Sequence, residues 1–369
     1  MAIGMAIGMA MPHKLLEAST SQSQVTTKDT LNDRKVTIIE HRAPAHSRSA
    51  HASIDGVVDD REGVWRPDRA LILRMKLLTV LLLLGFTSLA APEVVQSFGS
   101  KCPQFFIPDP QNQNDVITPT ILQQGQRYKQ ICQRFNNQYR FVTLYDTRNR
   151  IPVYSAYTFY GRGQVNRGDV EWKVEPQLDI NNGSRTEMEY LGGVDTQTFT
   201  HQARDEDYQE ASVHERGHLF PHGYAADQDQ ADSTCTLTNI APQTGTSNRN
   251  WEAQVETPML NQIQNGCRLD ENNPAYIVTG VVPGENWLRI KRGRRTIDHG
   301  INIPRYYWTA YSCINNNDGR IYQAFLAQQI NHIKDDRYTQ FEVTPMNDQD
   351  LNTQLTELYG TTFHVFRRR

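Results

Sequence analysis

The sequence predicts an α+β domain, a mostly antiparallel central sheet flanked by helices, within a chain of 369 residues. Three observations predict it. Strand-like runs occur early, between Phe141 and Tyr157, and again late, between Tyr276 and Leu326, with one helical pattern in between; repeated parallel βαβ units would instead alternate strand and helix. The two early runs are joined by a connection short enough for a hairpin. From residue 92 onward, about 280 residues without an obvious linker suit one large domain.

Residues 1–74 open with a repeated Met-Ala-Ile-Gly and continue polar, with no sustained period of 2 or 3.6 and little to bury. They are expected to be a disordered or non-native upstream extension. Residues 75–91 combine a basic start, an apolar run too short for a bilayer and a small-residue site at Ser88-Leu89-Ala90, the pattern of a secretory signal peptide. Residues 92–369 then form the single domain, expected in the secretory lumen or outside the cell, with no stable membrane anchor after cleavage. Within it, Phe141–Tyr145 and Ile151–Tyr157 flank Asp146-Thr147-Arg148-Asn149-Arg150 and predict a β-hairpin. From Asn250 to Gln264, Trp251, Val255, Met259 or Leu260, and Ile263 share one helical face, and Pro258 predicts a kink or an early end. Tyr276–Val282 reads as a buried strand ended by Pro283-Gly284. Tyr306–Tyr311 and Ile321–Leu326 predict two more strands, and Leu351, Leu355 and Leu358 a last helix stopping before Gly360.

The formal charge is −3; without the 11 basic and 9 acidic residues of 1–90 it becomes −5, from 27 basic and 32 acidic residues. Binding to phosphates would therefore rest on a local patch, and Arg289, Lys291, Arg292, Arg294 and Arg295 provide one, unless that run is simply a solvated hairpin. All five cysteines fall in the domain and none forms C-x-x-C, which argues for disulfides over a thiolate zinc site. Cys102 with Cys132 and Cys235 with Cys267 are the natural pairs, although spacing does not fix connectivity, and Cys313 makes the count odd. Asn182-Gly183-Ser184 is a glycosylation sequon.

Chemistry-bearing residues concentrate in Val213–His222 and in Thr236–Glu256. His214-Glu215-Arg216-Gly217-His218 spells H-E-x-x-H, the zinc-protease pattern, which works only on a helix that sets positions i and i+4 side by side. Gly217 and Pro221 oppose that helix by about 4 kcal/mol of propensity, and no convincing third ligand follows. The metalloprotease reading is set aside.

Glu215-Arg216-Gly217-His218 instead resembles the D-R-G-H signature of the DNA/RNA non-specific endonucleases, a ββα-metal (His-Me finger) family. Asn239-Ile240-Ala241-Pro242-Gln243, with Asn248 nine residues after Asn239 and Glu256 eight further, is similar to that family's second motif. The resemblance implies a ββα-metal nuclease fold and metal-dependent hydrolysis of phosphodiesters in DNA and RNA, gripped by the backbone with little sequence preference. It implies His218 as general base and Asn248 as the direct protein ligand of Mg²⁺, with Mn²⁺ or Ca²⁺ as alternatives. Glu256 would hold a metal-bound water, and Asn239 and Arg216 would position the site and the phosphate, unless Arg216 is simply a structural salt bridge. Arg167, Arg292 and Arg294 are the candidate substrate contacts. The sequence also departs from the pattern: Glu215 replaces the usual aspartate, Val170 stands where an arginine is expected before Trp172-Lys173, and Trp251 follows Asn248 by three residues, not four. The alternative is therefore a nuclease-fold protein that binds nucleic acid or another partner but cuts weakly or not at all.

Overall fold

Alternation of apolar side chains over two faces forces the strand-forming runs into the middle of the molecule. The computed structural model describes residues 93–366 apart from 113, 167, 169–170, 181–184, 210, 212 and 331–340. The upstream extension, the signal segment, Arg167, Val170 and the Asn182 sequon lie outside the described residues, all of which belong to one unit, Thr87–Arg369.

The strands are β1 (Val94–Val95), β2 (Ile107–Pro108), β3 (Val116–Ile117), β4 (Tyr128–Phe135), β5 (Gln138–Asp146), β6 (Ile151–Phe159), β7 (Lys173–Val174), β8 (Glu189–Tyr190), β9 (His214–His218), β10 (Ile240–Thr244), β11 (Ala275–Arg292), β12 (Arg295–Ile314), β13 (Arg320–Gln328) and β14 (Val343–Met346). The helices are α1 (Phe98–Lys101), α2 (Asp205–Gln209), α3 (Gln228–Thr234), α4 (Gly245–Trp251), α5 (Thr257–Gly266) and α6 (Asp348–Tyr359). Eight strands make the central sheet in the order β1-β4-β5-β6-β11-β12-β13-β14, every pair antiparallel. The expected α+β class with an antiparallel sheet is what the chain adopts.

Successive sheet residues feed two cores. Phe141, Tyr157 and Ile277 pack with Phe220, Ile240, Trp251, Val255 and Ile263 on one face. Val142, Ala156 and Val278 pack with Phe98, Leu351, Leu355 and Phe363 on the other. The sheet is thus buried on both faces, which holds its antiparallel strands without a solvated side. Gly360 ends α6 in the left-handed region at φ 66°, a conformation that glycine adopts without a Cβ clash.

The structure alters several expected boundaries. β11 runs past Pro283-Gly284, because register shifts at Val282, Pro283 and Asn286 absorb the missing donor and bend the strand instead of ending it. The central helix begins at Gly245, five residues earlier than Asn250, and survives Pro258: a π turn over Glu252–Glu256 widens the backbone where the proline ring would clash. The Cys102–Cys132 disulfide is present, but Cys267 pairs with Cys313 and not with Cys235. Cys267 ends α5 and bridges to Asn315 at the close of β12, which sets it beside Cys313; Cys235 is buried elsewhere, next to β9.

The second disulfide closes a loop across 46 positions. A Cys267→Ser/Cys313→Ser double variant should lose about 3–4 kcal/mol of stability through the greater freedom of its unfolded chain. Urea titration under non-reducing conditions measures it, and an unchanged midpoint would refute the pairing.

Candidate active site

Pairing in the β9–β10 ribbon places His218 opposite Ile240, Arg216 opposite Pro242 and Glu215 opposite Gln243. On a strand, four residues span about 13 Å, so His214 and His218 cannot clasp one ion as helical neighbours do. Gly217 follows from crowding: a Cβ there would lie 2.8 Å from the Gln243 Cβ. Burial lowers the pKa of His214, favouring its neutral form.

The ribbon leads directly into α4. Thr244 caps that helix, its Oγ1 accepting from the Ser247 N–H at 3.3 Å. Asn248 is therefore a turn inside the helix and not its cap. Its Nδ2 donates to Glu215 Oε2 at 2.8 Å. A carboxylate only accepts, so the amide nitrogen faces Glu215 and Oδ1 is turned away from it. At the end of the π turn the Glu256 carbonyl accepts from the Tyr224 hydroxyl at 2.5 Å, six positions past His218. One ββα unit thus carries His218, Asn248 and Glu256, with His218 and Asn248 held by different neighbours.

His218 stands between Trp172, with ring centroids 5.6 Å apart, and Cys235, whose Sγ is 3.8 Å from Nε2. Trp172 is brought there by the backbone: the Lys173 N–H donates to the Cys235 carbonyl at 2.9 Å, and Lys173 bridges to Thr236 in parallel register. The guanidinium of Arg216 stacks 4.9 Å over Trp172 and 5.5 Å over Tyr208, and bonds the Asp205 carboxylate at 2.5 Å. Arg292 is not brought to this cluster. It grips Asp207 with both terminal nitrogens, one at 2.7 Å, and the pair is nearly buried, at 11% and 1% side-chain exposure. Both arginines are thereby fixed by the short helix α2. Arg294 is exposed in the turn between β11 and β12.

Beneath the ribbon, Asn239 is fully buried and satisfied at every atom. Oδ1 accepts from the Ser155 hydroxyl at 2.9 Å and the Phe220 N–H at 3.0 Å; Nδ2 donates to the carbonyls of Phe220 and Thr234 at 3.1 and 2.9 Å. It positions the chain leaving His218 and does not line an open site. Ser155 continues through Thr143, Gln133 and Thr238 to Glu175, a buried run of hydrogen bonds crossing the sheet. It ends on a carboxyl pair. Glu93 and Glu175 are both fully buried, and one oxygen of each meets no donor. A proton shared between the two satisfies both. Burial, then the charge of Glu175, raises the Glu93 pKa well above the glutamate range. Burial raises Glu175 also, against hydrogen bonds from Glu93, Thr236 and Thr238.

Sequence reasoning missed α2, this carboxyl pair and the setting of Lys173. Its ammonium sits 4.9 and 4.5 Å from the Phe135 and Tyr190 rings and donates to the carbonyls of Glu171 and Asp232. The run Asp205-Glu206-Asp207 next to Tyr208 was the only trace of the arginine partners, and nothing in it says which arginines they meet. Among the described residues no three His, Cys, Asp or Glu side chains gather as a metal cluster. A site with one amide ligand would not form such a group.

The antiparallel α+β fold, with a ββα unit formed by β9, β10 and α4, is that of the ββα nuclease class. Residues 119–357 match the profile of the DNA/RNA non-specific endonucleases, and the chain belongs to that family. It is 32% identical over 200 residues to endonuclease domain-containing 1 protein of Homo sapiens, covering 53% of this chain and 37% of the relative. It is 30% identical over 206 residues to the Mus musculus protein of that name, covering 55% and 38%. The chain thus matches little more than a third of the length of these relatives. A chain from a crystal structure of the EndoG/EndoGI complex is similar at 16% identity and a TM-score of 0.41, over 62% of this chain and 84% of that one.

The carboxyl pair predicts a pH dependence with a definite sign. A group whose folded pKa is raised holds its proton more tightly in the folded state, so its contribution is complete below the ordinary glutamate range and is lost as pH climbs from there through the raised value. Stability should therefore fall from mildly acidic toward alkaline pH, and Glu93→Gln, which keeps a donor for Glu175, should flatten that fall. Urea midpoints across pH test it; parallel pH profiles for variant and parent would refute the shared proton.

Proposed function

We propose that this domain is a secreted, divalent-metal-dependent endonuclease that hydrolyses DNA and RNA phosphodiesters without base preference. The observation that carries the proposal is the Glu215–Asn248 hydrogen bond. It orients a neutral amide oxygen on the helix of the ββα unit, and a hard cation such as Mg²⁺ prefers oxygen and keeps most of its own waters. The donor chemistry therefore fits: Asn248 would be the direct ligand, and Glu256 would bind through water. When bound, the ion would supply charge stabilisation for the pentavalent transition state and the leaving 3′-oxygen.

This chain's own residues do the rest. His218 Nε2 faces the Cys235 sulfur, so the ring nitrogen turned away from that sulfur would take the proton from an attacking water. In a neutral imidazole with Nε2–H directed at sulfur, that nitrogen carries no proton. Trp172 limits the ring from one side, and Asn239 fixes the backbone two residues on. Arg216, caged by Trp172, Tyr208 and Asp205, would present a preset positive charge to the scissile phosphate. Arg294, with Arg167 as a second candidate, would contact the flanking backbone, and such contacts carry no base information. The two disulfides suit an oxidising compartment.

Plasmid DNA and RNA incubated with the domain should be cut in Mg²⁺ and spared in EDTA. His218→Ala should lower the rate by roughly 10²–10⁴-fold, and Asn248→Ala should raise the metal concentration needed for half-maximal cleavage. Folded parent protein that binds both substrates and cuts neither would replace this reading with that of a binding module; full cleavage by His218→Ala would remove the histidine from the mechanism.

A further inference from the structure

Two disulfides form in this domain, and the fifth cysteine, Cys235, keeps its thiol. Its surroundings are specific. The sulfur lies 3.8 Å from His218 Nε2. It also lines a cavity of about 310 Å³ together with Lys173, Tyr190, His222 and Asp232. The Lys173 ammonium donates to the carbonyl of Asp232, three residues before Cys235, and opens on the same cavity; burial lowers its pKa, and the charge of Cys235 opposes that shift. A thiol with an imidazole beside it, sharing a cavity with an ammonium, has the environment of a reactive cysteine and not of an inert core one.

We propose that Cys235 is a covalent modification site for small disulfides, and that its mixed disulfide switches off the histidine beside it. The reaction balances without a further oxidant. The Cys235 thiolate attacks one sulfur of RS–SR, the S–S bond breaks, Cys235–S–SR forms, and the departing RS⁻ takes up the proton that Cys235 released. Lys173 and the His218 N–H stabilise the attacking thiolate. The cavity accepts the small R group. Once sulfur carries that group, Nε2 loses the acceptor that fixes its tautomer, and the ring is pushed from its place against Trp172. The modification itself needs only the Cys–His–Lys grouping, whereas its effect on hydrolysis rests on the role proposed for His218.

The test uses the intact native domain and cystamine as the disulfide. Intact mass and peptide mapping should find one half-cystamine on Cys235, formed on the folded protein, and DNA cleavage should fall in step with its formation. Selective removal of the adduct by a low concentration of thiol should restore cleavage. Lys173→Met, which keeps an apolar side chain between Phe135 and Tyr190, should slow adduct formation roughly tenfold. Cys235→Ser and Cys235→Ala, each compared with its own untreated rate, should be insensitive to cystamine. Labelling of Cys235 only after denaturation would overturn the proposal, and it does so even if neither cysteine variant folds. An adduct that leaves cleavage undiminished would overturn the switch. Parent protein that forms the adduct at the Lys173-dependent rate, yet never cuts nucleic acid, would uphold the modification site while refuting the nuclease reading.

Discussion

One buried amide governs how this site is built. Asn239 has no exposed surface, and each of its polar atoms is satisfied by Ser155 on β6, by the carbonyl of Thr234 that closes α3, or by both backbone groups of Phe220. Leaving any of these unmade in a dry interior costs about 1–3 kcal/mol, so the arrangement tolerates little displacement. The constraint acts two residues beyond His218. With N–H and C=O of Phe220 both held, the strand carrying the histidine is locked to the central sheet, and stacking of Phe220 on Tyr157 at 4.0 Å adds an apolar clamp to the polar one. The β9–β10 ribbon is thus a rigid appendage of β6, which loops of this length would not otherwise be.

How much of this is legible in the sequence depends on whether the determining partner is near in the chain. The β5–β6 hairpin is legible because alternation and a short connection are local facts. The R-G-H glycine is legible as a motif, but its cause, the Gln243 side chain across the ribbon, is not. The start of α4 escapes detection for a related reason: Gly245-Thr246-Ser247-Asn248-Arg249-Asn250 has poor helix propensity and no apolar stripe until Trp251. What makes it helical is the Thr244 cap, tied in turn to the Ile330 carbonyl at 3.0 Å. The cysteine pairing also depends on distance: Cys313 reaches Cys267 only because β12 is long enough to return to the end of α5.

The basic run of the β11–β12 hairpin divides in the fold. Read as sequence it is either a patch of phosphate-binding charge or a solvated hairpin. In the fold, Arg292 is neutralised by buried Asp207 and Arg289 faces Asp298 at 2.7 Å. The first of these is a structural tie, since removing either partner would leave a charge buried alone. The second is exposed and contributes little to stability. Because α2 also supplies Asp205 to Arg216, one five-residue helix connects the hairpin to the site. The run therefore contributes to the nuclease reading less as a surface for substrate than as the anchor of the helix that sets Arg216.

The departure at Glu215 follows the same logic of local compensation. A glutamate is one methylene longer than the aspartate usual in the motif, and the added length must be accommodated where α4 begins. It is accommodated by Gly245: a Cβ there would sit 2.7 Å from Glu215 Oε1 and 3.1 Å from Arg249 Nη1. With glycine in that place the carboxylate extends across the mouth of the helix to Asn248 Nδ2. A shorter side chain from the same strand position would fall about one C–C bond short of that nitrogen, and any side chain at 245 would obstruct the longer one. Glu215 and Gly245 are therefore a matched pair, and what they preserve together is the direction of the Asn248 amide.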